Sequence, residues 1–394
     1  MIDIPFLSFQ QKRILEENSE DMQLWGGLDL QDIWHMPDEI NKTTINREYS
    51  RVISIINEIR HSPVDYSTFK PSYDFKGRNA QIIADFTSPD KIMGRCPCPK
   101  DGEQTRCCNL KTLDAVQQCQ FACSYCSIQS FYSHNQIRIV SDLKQKLDGI
   151  VLEPDTWHIG TGQSSDSLAL GNDYGTLDAL VNFAKKHPDV IIELKTKSAR
   201  TDFLELDMPA NIVSTWSVNA ATVTENEEHL AASLNGRISA AAKVSASGHP
   251  VGFHIHPMVY FTHWKEEYAR LVEKLCDSID PDNVVMTSIG TLTFTKQNLR
   301  ALRESKRPTR VTQMPLDIIA GKYSYDIETK KRMFSYVYSL FPKEWKEKVF
   351  FYLCMEDPSL WMPCLGREYS CNADFEADMK KHYFDKINSI ISKN

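Results

Sequence analysis

The chain has 394 residues, 42% of them hydrophobic, with a formal net charge of −7 and eleven cysteines. That length holds one large α/β barrel with extensions, or two domains. The acidity argues against a surface generally coated in nucleic acid. No stretch approaches the roughly 18 apolar residues of a membrane span, and MIDIPFLSFQQKR lacks the basic-then-apolar pattern of a secretory leader. Eleven cysteines in such a chain point to a reducing cytoplasm and to metal chemistry, not disulfides.

Residues 1–95 carry mixed short patterns and are expected to form an N-terminal extension. A helix over Asn46–His61 places Val52, Ile53, Ile56 and Ile59 on one face. Cys96, Cys98, Cys107 and Cys108 follow in a Gly/Pro/charged loop, four thiols within 13 residues. They are candidate ligands of a second iron–sulfur cluster or a zinc ion, or a redox-active thiol pair.

From about residue 110 the pattern alternates strand and helix, which predicts βα units around a parallel sheet. Strands are expected at Lys111–Val116, Thr156–Gly160, Val190–Thr196, Asn211–Val218, Val251–Met258 and Val284–Ser288. Helices are expected to begin at Ile128 (running to His134) and to span Tyr174–His187, Arg237–Ser247, Trp264–Ser278 and Lys296–Ser305, with Gly248 and Pro250 closing the third. Six units make a partial (β/α)6 barrel over residues 96–310. A C-terminal α/β extension over 311–394 would hold a helix at Tyr325–Leu340, an apolar strand at Val349–Met355 and a final helix near Asp374–Ile391. Cys354 and Cys276 read as packing residues, and Cys364 and Cys371 as weak ligand candidates.

The centre of the chain is Cys119-Gln-Phe-Ala-Cys123-Ser-Tyr-Cys126. A [4Fe–4S] cluster is usually held by four thiolates, so a three-cysteine loop leaves one iron open. This loop resembles the signature of the radical S-adenosylmethionine (SAM) superfamily. In that superfamily the open iron takes the amino and carboxylate groups of SAM, and an electron from the cluster splits the sulfonium to give a deoxyadenosyl radical. Barrels carry their reactive groups at the C-terminal ends of strands. Cys119, the Gly160-Thr161-Gly162 turn with Ser165, Lys197, Ser217 and His256 all fall there. A glycine turn permits close approach of a cofactor, and Lys197 suits a carboxylate. His254 and His256 alternate along one strand and so share a face.

Further motifs occur in order: Ser164-Ser165-Asp166, Thr196-Lys197, Trp216-Ser217-Val218-Asn219, the tract Arg237–Lys243, and Gly248-His-Pro250-Val-Gly252-Phe-His-Ile-His-Pro257. With the cysteine loop, this succession resembles the spore photoproduct lyase family across roughly residues 95–370. The resemblance implies a radical SAM enzyme that abstracts hydrogen from a thymine–thymine photoproduct in DNA. It implies a [4Fe–4S] cluster on Cys119, Cys123 and Cys126, and SAM contacts from Ser165, Lys197 and Ser217. Gly160, Thr161, Gly162, Asp166, Asn219 and His256 complete the expected cofactor pocket. Flavodoxin or ferredoxin is the kind of electron donor such an enzyme uses.

Two departures bear on the reaction. The lyase has a hydrogen-donating cysteine just before its Thr-Ser-Asp, where this chain has Gln163, and an amide N–H bond is too strong to donate hydrogen to a carbon radical. The lyase also tends to carry tyrosines on both sides of its last cluster cysteine, whereas here Tyr125 is followed by Ser127 after Cys126. Tyr125 and Gln163 are therefore the expected catalytic-site residues. From Thr295 to Phe350 there are thirteen Lys and Arg against six Asp and Glu. The cluster Lys296, Arg300, Arg303, Lys306, Arg307 and Arg310 makes nucleic acid a candidate partner. The alternative is a radical SAM enzyme acting on a small molecule or peptide, with cleavage of a different C–S bond of SAM left open.

Overall fold

The computed structural model describes residues 4–26, 29–70, 81–87, 91–96, 104–130 and 136–393. Its main sheet has eight strands: β1 Met93–Arg95, β2 Lys111–Leu113, β3 His158–Thr161, β4 Ile191–Thr196, β5 Ile212–Ser217, β6 Val251–Met258, β7 Val284–Thr291 and β8 Phe350–Leu353. In space they follow chain order from β1 to β8. Every pairing is parallel except the edge pair β1–β2. This is the expected mixed α/β partial barrel, with one parallel strand more than the six foreseen. The extra strand is the apolar run near Val349, read from sequence as part of the C-terminal extension. It pairs with β7 through Met286↔Phe350 and Ile289↔Leu353.

Parallel strands covered on both faces read as continuous apolar runs. Accordingly β7 and β8 are buried at every position. Helices Thr176–Lys186, Leu234–Ala246, Trp264–Ser278, Ile327–Leu340 and Asn372–Ile391 lie within three residues of their expected spans or match them. The first unit differs more. Lys111–Val116 divides into β2 and a separate short strand, Val116–Gln117, which pairs antiparallel with Gln136–Val140. The helix expected from Ile128 begins as a 3₁₀ turn at Ser127–Ser130, and its remainder to His134 lies outside the described residues.

The N-terminal helices Phe9–Leu24 and Lys42–His61 enclose their own small core of Leu15, Met22, Trp25, Ile45, Val52 and Ile56. The first was missed from sequence although Ser8 and Gln11 form a capping box. Polar contacts fasten this layer to the segment after β7. Trp25 Nε1 donates to Thr312 Oγ1 at 2.9 Å, and buried Asp21 pairs with Arg60 at 2.7 Å and Arg303 at 2.8 Å. No helix among the described residues is long and apolar enough to cross a membrane.

Candidate active site

The C-terminal ends of the strands open on a cavity of ≈ 520 Å³. Cys119, Cys123 and Cys126 line it, together with Tyr125, Gly162, Gln163, Ser165, Asp166, Lys197, Ser217, His254 and His256. The cysteine loop turns into the cavity through left-handed backbone at two non-glycine residues, Gln118 (φ 73°) and Ala122 (φ 52°). Such conformations cost on the order of 1–3 kcal/mol each and persist only where the surroundings enforce them. The enforcing bonds are Gln118 N–H to Ser164 O at 3.0 Å, Ser124 N–H to Glu227 O at 2.8 Å and Leu230 N–H to Phe121 O at 3.1 Å. The segment 227–232 thus cradles the loop from beneath.

Two adjacent buried carboxylates anchor that cradle. Glu227 accepts from Tyr66 Oη at 3.0 Å, Thr309 Oγ1 at 2.7 Å and Arg310 N at 2.8 Å, joining the loop's support to the N-terminal layer and to the segment after β7. Glu228 accepts from Tyr125 Oη and pairs with Lys197 Nζ at 3.1 Å and with Arg237. Burial alone would raise the Glu228 pKa, but Lys197 and Arg237, helped by the Tyr125 hydrogen bond, hold it down to about 2. Lys197 Nζ also lies 5.6 Å from the centre of the Tyr125 ring. Glu227 and Glu228 were missed from sequence, since nothing in their local pattern distinguishes them from helix-end acids. Arg237 was noticed only as part of a tract.

The expected pocket residues divide into two sets. Gly162, Gln163, Ser165, Asp166, Lys197, Ser217 and His256 reach the cavity. Gly160, Thr161 and Asn219 are not among its lining residues. Thr161 is 3% exposed and its hydroxyl bonds Ser167 Oγ at 2.6 Å. Asn219 is 1% exposed, donating to Pro257 O at 2.7 Å and accepting from Tyr268 Oη at 2.8 Å. In this structure these three thus stand behind the cavity wall at the strand ends. Gly162 (φ 81°) is the essential glycine of the turn, because a Cβ there would stand 2.7 Å from both Lys195 O and Ser167 Oγ. Asp166 accepts from Leu168 N at 3.1 Å, Ala169 N at 2.9 Å, Thr196 Oγ1 at 2.7 Å and Lys197 N at 2.6 Å. It acts as a cap for the turn and ties β3 to the end of β4.

The barrel floor is a second polar network. Glu193 accepts from Thr215 Oγ1 at 2.9 Å and lies 3.0 Å from His158 Nε2, 2.7 Å from His254 Nε2 and 3.7 Å from Lys195 Nζ. His254 Nδ1 also meets Ser288 Oγ at 2.6 Å. Burial opposes its charge, yet Lys195 and the two histidines hold the Glu193 carboxyl well below its usual range. Burial first, then His254, pushes His256 down to about 3, so it faces the cavity neutral.

Cys96, Cys107, Cys108 and Cys354 line the same cavity. Cys98 lies outside the described residues. Cys354, expected to be core, thus reaches the site from the end of β8. Cys364 is 5% exposed, its thiol 3.8 Å from Lys331 O, and Cys371 caps the final helix; neither lines the cavity. Among the described residues no cysteine forms a disulfide. No three His, Cys, Asp or Glu side chains there are gathered as they would be around a single metal ion. A cube of four irons spreads its thiolates over separate metal atoms, and three thiols on one loop facing a cavity fit that requirement. Burial pushes the Cys119 and Cys123 thiols up, so loading a cluster must displace their protons.

In the basic cluster after β7, Arg303 and Arg310 are engaged within the protein, whereas Lys296, Arg300 and Lys306 are exposed. Arg303 pairs with Asp21 and Glu17, Arg300 with Glu304 at 2.7 Å, and Arg310 donates to Thr68 Oγ1 at 2.8 Å and to Gln313 Oε1 at 2.9 Å. The charge excess read as a nucleic-acid footprint is therefore, at Arg303 and Arg310, a set of internal ties, while Arg300 and Glu304 form an exposed pair on one helix.

A sequence model described as spore photoproduct lyase matches residues 111–347, more than half of the chain. Among curated proteins, spore photoproduct lyase of Clostridium acetobutylicum is 23% identical over 54% of this chain and 64% of its own length. Spore photoproduct lyase of Bacillus subtilis is 28% identical over 49% of this chain and 59% of its own length. The match thus spans less than two thirds of either relative. A solved cysteine-to-alanine mutant of spore photoproduct lyase superposes with a TM-score of 0.54 at 20% identity, covering 62% of this chain and 76% of that one. A double mutant with bound AdoMet and dinucleoside spore photoproduct gives 0.52 at 22% identity, covering 61% and 74%. These likenesses show a shared fold, and with the extended sequence match they lead to one conclusion: this chain belongs to the spore photoproduct lyase family of radical SAM proteins.

Proposed function

We propose that the protein is a radical SAM enzyme acting on a damaged or modified nucleobase. The observation that carries this reading is the convergence of Cys119, Cys123 and Cys126 with Ser165, Lys197, Ser217 and His256 on one cavity at the strand ends. The three cysteines would hold a [4Fe–4S] cluster, and SAM would occupy the adjoining space. Together, when bound and reduced by a donor such as flavodoxin or ferredoxin, they supply a carbon radical able to abstract hydrogen.

The chain's own residues bind and orient. Ser165 and Ser217 offer hydroxyls to the SAM aminocarboxylate, and Lys197 offers a cation whose position Glu228 fixes. Gly162 lets backbone approach the cofactor without a side chain intervening. Neutral His256 adds a donor or acceptor without adding charge. Gln163, at the position of the lyase's donor thiol, can orient a base edge through its amide but cannot return hydrogen to a substrate radical.

The test is anaerobic. Reconstituted, reduced protein is given SAM and UV-irradiated DNA, and deoxyadenosine and photoproduct are followed by mass spectrometry. Photoproduct loss with deoxyadenosine release supports the reading. Deoxyadenosine without photoproduct loss favours the second reading, a small-molecule or peptide substrate, which the internal engagement of Arg303 and Arg310 also favours. No SAM cleavage with an intact cluster rules out both.

A further inference from the structure

Four thiols outside the SAM loop share the cavity, and they come from three separate places: Cys96 just beyond β1, Cys107 and Cys108 in the loop before β2, and Cys354 just beyond β8. We propose that Cys96, Cys107, Cys108 and Cys354 are the ligands of a second [4Fe–4S] cluster in the same cavity as the first.

Chance packing does not account for this set. The two edges of the partial barrel, β1–β2 and β8, are far apart in sequence, and each delivers thiols to the same space. The Cys107 and Cys108 thiols interact with each other, and Cys108 and Cys354 both sense Cys96. The local charge suits a thiolate cluster. Lys195 lines the same wall, its Nζ 3.7 Å from Glu193. Arg106 lines the wall as well, fixed by donating to Tyr369 O and Ser370 O at 2.9 Å. Cys107 is held by its own N–H to Asn372 Oδ1 at 3.1 Å.

The spread of the four thiols selects the cofactor class. A zinc ion needs all four thiolates at one centre, about 2.3 Å away, and among the described residues no three such donors are gathered around one point. A cube gives each thiolate its own iron. With four ligands such a cluster has no open iron, so its role is electron storage or transfer beside the substrate space and not SAM binding.

The experiment counts metal in the full chain after anaerobic reconstitution with iron and sulfide. The wild type is expected to carry about eight irons and eight labile sulfides, and Cys119→Ala/Cys123→Ala/Cys126→Ala about four of each. Cys107→Ser/Cys354→Ser is expected to lose half the iron yet keep the change in the electron paramagnetic resonance spectrum that SAM causes. That second variant carries the test if the triple variant does not fold. Four irons or fewer in the wild type, zinc in place of iron in the triple variant, or unchanged iron in Cys107→Ser/Cys354→Ser would each overturn the proposal. None of these readouts depends on the substrate, so a failure here is distinguishable from a failure of the proposed reaction.

Discussion

Tyr125, inside the cysteine loop, donates its phenol to the buried carboxylate of Glu228, which also pairs with Lys197 at 3.1 Å. One carboxylate therefore sets two elements of the site at once, the loop bearing Cys123 and Cys126 and the cation at the end of β4. Arg237, fully buried, closes the network from the Leu234–Ala246 helix, its Nη1 donating to Ser217 O at 3.0 Å.

Removing that carboxylate leaves two cations without a counter-charge in a buried setting. Glu228→Gln is expected to destabilise the fold by about 3–5 kcal/mol, the usual cost of breaking a buried pair from one side. Urea denaturation measures it, and a loss under about 1 kcal/mol would show that Lys197 and Arg237 find other partners.

The same group predicts an acid limb. Glu228 is lowered from 4.5 to about 2 by Lys197 and Arg237 against the effect of burial. A carboxylate depressed on folding stabilises fully above its unfolded pKa, and that contribution is lost as pH falls toward the folded value. Stability should therefore decline between about pH 4.5 and 2, and Glu228→Gln should flatten that limb. Thermal melts across this range, wild type against variant, check it.

Arg303 is a test of where the basic cluster is spent. Its guanidinium meets Asp21 and Glu17 in the N-terminal layer. Arg303→Ala is expected to cost about 1–3 kcal/mol, as for charged hydrogen bonds. The salt dependence of DNA affinity should stay unchanged. A shallower slope would mean that Arg303 contacts phosphate.

Gln163 lines the cavity, and in the proposed reading it stands where a hydrogen-donating thiol would be needed. If photoproduct reversal is the reaction, Gln163→Cys should raise the repaired product severalfold per deoxyadenosine formed. The ratio is read by mass spectrometry in the assay above. An unchanged ratio would locate the hydrogen donor elsewhere in the cavity.

The sequence alone was enough for the partial barrel, because parallel strands and amphipathic helices each leave a periodic trace and the βα alternation orders them. The cysteine loop and Ser165, Lys197 and Ser217 lie in short motifs at strand ends, and the structure brings them to one cavity. Non-local relationships left no such trace. Cys354 sits in an apolar run and looked like core, yet the closing strand β8 carries it into the cavity. Glu228 is an ordinary acid in sequence, and becomes the anchor of the site only because folding brings Tyr125, Lys197 and Arg237 around it. Asn219 matched a motif, but its amide is consumed by Pro257 O. The basic run after β7 was counted correctly as charge, while only the packing of the N-terminal helices decided that Arg303 faces Asp21 and Glu17. Local pattern is fixed by backbone geometry and burial along one element; the partners of a charge or a thiol are fixed by what tertiary packing places across from it.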